Sequence, residues 1–102
     1  MIMYVYAFDY PLGKKEECRQ WLRSVTGTFQ APNEVKGLRS FDNYFGQSPN
    51  HVVELEFDDL SSAAKYFSRE EIRKVLLEDL GSHFVNVRID VLIQRGREFT
   101  RR

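Results

Sequence analysis

One cysteine, Cys18, and two histidines, His51 and His83, supply all the thiol and imidazole chemistry of this 102-residue chain. A lone thiol closes no internal disulfide, which makes a reducing compartment the simpler expectation. Neither H-E-x-x-H nor C-x-x-C occurs, and the histidines do not come at ligand spacing, so no metal site is expected. Charge bias is missing too: fifteen basic residues balance fifteen acidic ones for a formal net charge of +0. No global field therefore draws the chain to nucleic acid or anionic lipid, and the basic ending RGREFTRR reads as a solvated tail. The opening MIMYVYAF is apolar, yet it has no basic leader, no small-residue cleavage site and too little length to span a bilayer. A cytoplasmic protein without a membrane partner is the expectation. Glycine-rich phosphate loops and G-x-S-x-G are absent, and no nucleotide or other cofactor is expected.

What is present is an ordinary globular composition, with 42% hydrophobic and 29% charged residues and a high 14% of aromatics. The length suits one core, so residues 1–102 are expected to form a single domain. IMYVYAF (2–8) is short, β-branched and aromatic, and it stops at the turn residues Pro11 and Gly13. From Lys14 the period changes: Cys18, Trp21, Leu22, Val25 and Phe29 form one helical stripe, which ends in APNEVKG (31–37). LRSFDNYFG (38–46) and HVVELEF (51–57), separated by QSPN, read as a hairpin. Asp59 can cap a short helix carrying Leu60, Ala63, Ala64 and Phe67. Ser68 and Glu71 have the spacing of a capping box for a second helix, with Ile72, Val75, Leu76 and Leu80 inward and Gly81 as its stop. In the last strand His83, Val85, Val87, Ile89, Val91 and Ile93 are expected on one face, with Phe84, Asn86, Arg88, Asp90 and Leu92 on the other.

The order β-α-β-β-α-β predicts an α+β, ferredoxin-like subunit with both helical segments on one face of a four-stranded antiparallel sheet. On the open face, Val52, Glu54, Glu56, Arg88, Asp90 and Leu92 admit two readings: a wet surface, or a self-complementary contact between two copies. His51 poses a sharper question, because it shares strand parity with Val53, Leu55 and Phe57. A lone histidine there is either a core residue with a polar partner or a group that orients or deprotonates a ligand. Asp58 and Asp59 fit helix capping better than an acid/base pair.

Element order, size and the run HVVELEFDDLSSAAKYF (51–67) resemble the dimeric α+β barrel superfamily, which includes stress-responsive barrel proteins, antibiotic-biosynthesis and haem-degrading monooxygenases, muconolactone isomerases and a plant polyketide cyclase. The resemblance implies a homodimer joined through the non-helical sheet faces, with a ligand site between each sheet and its helices. It implies catalytic places for His51 and Tyr66, which match a histidine at the start of strand three and a tyrosine ending the next helix in the cyclase branch. It also turns Tyr4 and Tyr6 toward the helices, where Trp21 and Val53 join them as expected substrate contacts. The cyclase branch carries a His-Pro-x-x-His run after that tyrosine, whereas this chain reads Phe67-Ser68-Arg69-Glu70-Glu71-Ile72. That second base is not carried over. The expected function is binding of a hydrophobic or aromatic small molecule, with cofactor-independent monooxygenase-like or isomerase/cyclase-like chemistry if the protein is an enzyme. The competing expectation is a non-catalytic, stress-related or interaction module whose core is filled. A third, a regulatory effector domain, normally accompanies another domain.

Overall fold

The computed structural model of the protein describes residues 1–101; Arg102, the last residue of the basic tail, lies outside them. Strands β1 (Ile2–Asp9), β2 (Val35–Asp42), β3 (His51–Phe57) and β4 (Val85–Ile93) form one antiparallel sheet in the order β2-β3-β1-β4. Helix α1 (Lys15–Gln30) joins β1 to β2. Between β3 and β4 run α2 (Leu60–Ser68), α3 (Glu70–Arg73), a π-helical stretch (Lys74–Asp79) and α4 (Leu80–His83). This is the ferredoxin-like α+β fold expected from the sequence.

Register sets the layers. On the helical side, the cross-strand rows are Asp42–His51–Phe8, Ser40–Val53–Tyr6–Ile89, Leu38–Leu55–Tyr4–Val91 and Val35–Phe57–Ile2–Ile93. Val35 and Leu38 reach one face despite odd spacing because a register shift lies between Val35 and Gly37. Alternate residues make the open face, with Arg39 bridging Glu54 at 3.2 Å and Glu56 at 3.0 Å. The core under the helices holds Phe8, Leu55, Phe57, Ala63, Tyr66, Ile72 and Phe84, all buried. Each large apolar side chain buried there contributes about 1.5–3 kcal/mol relative to its exposed state.

Four local expectations change. Strand β2 begins at Val35 and ends at Asp42, so Tyr44 and Phe45 project from the hairpin loop and are exposed. Asp59 does cap α2, accepting from the Ser62 N–H at 2.8 Å, but Ser68 opens no helix. Its hydroxyl donates back to the Lys65 carbonyl at 2.7 Å, and extended Arg69 starts α3 with no side-chain cap. Gly81 lies inside α4, which runs on to His83 and stops where Phe84 turns extended.

Strand β4 does not keep one parity throughout. Ala7 pairs with Arg88 while Asp9 pairs with Val85, so one extra residue is accommodated near Asn86, whose φ is +54°. The slip sends Phe84 into the core, 4.1 Å from the Phe8 ring, and parts His83 and Val85 from the Val87–Ile93 series. Asp9 holds this corner by accepting from Asn86 Nδ2, Ser48 Oγ and the Asn50 N–H at 2.8–2.9 Å. Those three bonds, Asn86 first, hold its carboxyl below the usual carboxylate range.

Candidate functional site

Helix α1 has two flanks. At 3.6 residues per turn, Cys18 and Phe29 lie along its buried line, Trp21 and Val25 fall to one side, and Arg19, Leu22, Arg23 and Thr26 fall to the other. The second flank faces β2 and β3 across a cavity of about 310 Å³. Leu22, Phe29, Leu38 and Val53 give it apolar walls, while Arg19, Arg23, Thr26, Ser40, Asp42 and His51 supply polar groups. An apolar hollow of this size with a few convergent polar groups is the usual form of a small-molecule site, for which about 300–1,000 Å³ is typical.

Four side chains meet at one end of the cavity. His51 Nδ1 lies 2.7 Å from Asp42 Oδ1 and 3.1 Å from the Tyr10 hydroxyl. Tyr10 donates to the same carboxylate oxygen at 3.0 Å, and Arg19 Nη2 donates to Asp42 Oδ2. The hydrogen bond from His51, with those from Tyr10 and the charge of Arg19, holds the Asp42 carboxyl down to about 2. An ionised carboxylate only accepts, so the ring proton of this contact belongs on Nδ1, leaving the lone pair of the neutral imidazole on Nε2. Among the described residues no buried side-chain nitrogen or oxygen lacks a partner. Among those residues Nε2 makes no hydrogen bond, so it is open to the cavity or solvent. Burial, with the Asp42 bond second, pushes the Tyr10 hydroxyl up to about 12, which keeps it a neutral donor.

Of the residues singled out from the sequence, His51 and Val53 line this cavity. Tyr66 does not: it is fully buried, its ring packs on Phe57 at 5.0 Å, and its hydroxyl donates to the Phe29 carbonyl at 2.8 Å. It thus satisfies one of the open carbonyls at the end of α1. Tyr4 packs between Phe57 and Phe67, and Tyr6 is buried beside Val53 in the sheet. Burial raises the hydroxyl pKa of Tyr6 and of Tyr66. Trp21, on the far flank of α1, stacks on His83 at 4.6 Å. Cys18 donates to the His83 carbonyl at 3.1 Å, and burial pushes its thiol up, away from a reactive thiolate.

Asp42, Arg19, Arg23 and Tyr10 are the site residues that sequence reasoning missed. Leu38, Ser40 and Asp42 alternate in phase, so a hairpin closed between Asp42 and His51 was their signal. Among the described residues no group of three or more His, Cys, Asp or Glu could hold a metal ion, and no helix is long and apolar enough to cross a membrane.

No protein-family model matches the chain, and no curated protein matches it. Solved structures do. A dabb family protein with a ferredoxin-like fold from Mesorhizobium loti superposes with a TM-score of 0.78 at 12% identity, covering 93% of this chain and 97% of that one. A putative antibiotic biosynthesis monooxygenase from Deinococcus radiodurans gives 0.79 at 10% identity, covering 100% and 99%. A variant of MhuD, solved with two manganese protoporphyrin IX molecules bound per active site, gives 0.75 at 8% identity, covering 98% and 100%. The chain therefore has the ferredoxin-like fold of dabb-family and antibiotic-biosynthesis-monooxygenase-like proteins, as the resemblance in its sequence implied.

Proposed function

We propose that the cavity between α1 and the β2–β3 hairpin binds a hydrophobic or aromatic compound, and that His51 acts there as a general base without metal or organic cofactor. The observation that carries this reading is the Asp42–His51 pair at the end of an apolar cavity of about 310 Å³. A base needs its free nitrogen toward the substrate and its other nitrogen fixed by a partner, and this pair has that form. The matching chemistry is proton abstraction next to a carbonyl, with Asp42 stabilising the imidazolium that forms. A hollow of this volume favours ligand binding over an interaction module with a filled core.

The test uses 1-phenylbutane-1,3-dione as an aromatic carbon acid, with deuterium uptake at the carbon between its carbonyls followed by NMR. The protein is expected to accelerate exchange, and His51→Gln to remove about 100-fold or more of that acceleration while the circular dichroism spectrum is retained. Equal loss of folding stability with exchange untouched would mark His51 as a core residue alone. Oxygen uptake in place of exchange would favour the monooxygenase chemistry named for the Deinococcus neighbour.

The same proposal includes a homodimer joined through the open sheet face. Rows such as Phe41–Val52–Ala7–Arg88 and Gly37–Glu56–Met3–Leu92 mix apolar and charged groups there, and Phe41 and Leu92 are about half exposed, at 51% and 52%. A cytoplasmic setting fits the single buried cysteine.

A further inference from the structure

Charge is unevenly distributed around the cavity. Among the described residues Asp42 is the one carboxylate on its wall, and Arg19 already neutralises it. Arg23 also lines the cavity, yet it has no carboxylate within salt-bridge distance among the described residues. The two guanidinium groups stand four residues apart on one helix face, and Asp42 answers only the charge of Arg19. Ser40, opposite Val53 in the sheet, lines the same space.

Resting on the ligand-binding reading above, we infer that the compound held in this cavity is a hydrophobic monoanion, whose carboxylate is taken by Arg23 at the mouth while its apolar body lies against Leu22, Phe29, Leu38 and Val53. A guanidinium presents paired N–H donors that match a carboxylate in two parallel bonds, and Arg23 is the cation on the cavity wall still open to make them. Its backbone lies about 6 Å along α1 from that of Arg19, one helical turn from the Asp42–His51 end. A ligand anchored at Arg23 therefore sets its charged group one turn away from the imidazole. That spacing leaves His51 facing an uncharged part of the molecule, as abstraction of a proton next to a carbonyl requires. Neutral hydrophobic compounds enter the same space but lack the anchor.

Isothermal titration of the full chain with 2-naphthoate and its uncharged isostere 2-naphthamide separates the two claims. The carboxylate is expected to bind about tenfold tighter or more, with the margin shrinking as salt is raised. Arg23→Gln should bring the two affinities within about twofold of each other, and Arg23→Lys should restore part of the gap. Equal affinities in the unaltered protein, with Arg23→Gln changing neither, overturn the anion inference and leave the cavity reading standing. Failure of both compounds to bind, or undiminished binding after Ser40→Trp fills the cavity, overturns both.

Discussion

The two flanks of α1 solve opposite problems. Toward α2 and β4, aromatic rings close on one another: Tyr4 on Phe67 at 4.5 Å, Trp21 on His83 at 4.6 Å, and Phe8 on Phe84 at 4.1 Å. Toward β2, the facing side chains include Ser40, Asp42 and Thr26, too short or too polar to fill the gap, and a hollow remains. Large rings make a dry, unyielding half, while small and charged groups leave the other half able to accept a guest. The candidate chemistry lies wholly on the hollow side, and the residue that braces it, Tyr66, reaches across from the packed side to the Phe29 carbonyl.

Three substitutions separate the halves, in decreasing order of expected effect. Phe57→Ala, in the packed half, removes a fully buried ring and should cost about 3–5 kcal/mol in urea denaturation. A loss under about 1 kcal/mol means that this half is looser than its ring distances indicate. Tyr66→Phe leaves the Phe29 carbonyl without its side-chain donor and should cost about 1–3 kcal/mol, with 2-naphthamide affinity changed no more than about twofold. A binding loss far beyond that places Tyr66 in direct contact with ligand.

The smallest effect concerns acid. Because the Asp42 carboxyl is held down to about 2, the stability it contributes is present above the ordinary aspartate value of about 3.9 and fades as pH falls from there through about 2. With 42% of the Asp42 side chain exposed, solvent screening keeps that contribution small. Asp42→Asn should therefore flatten a shallow slope in the melting temperature across that window, and an unchanged slope assigns the acid sensitivity to other carboxylates such as Asp9.

The packed half was the more legible in sequence. Periodicity put Cys18, Trp21 and Phe29 on one helical stripe, and strand alternation put His51 under the helices with Leu55 and Phe57. Pairing was harder to see. Asp42 could be placed beside His51 only once the hairpin register was known, and a strand read as 38–46 blurs which residue closes the loop. The resemblance implied a ligand-facing Tyr66, and nothing in the local pattern shows that its hydroxyl meets the Phe29 carbonyl instead. Phe84 was assigned to the open face because simple alternation contains no sign of a bulge.

That bulge has a consequence for how the chain tolerates change. Asn86 works as a one-letter frameshift in the strand's inside-outside code, and deleting it would restore a single phase from residue 83 onward. Phe84 would then keep its place against the Phe8 ring by plain alternation with Val87 and Ile89, and what is lost is the Asn86 donor that Asp9 accepts from. A β-branched residue at 86 works the other way: it strains the left-handed backbone there, which suits asparagine or glycine, and a strand straightened with all its residues present would turn Phe84 outward.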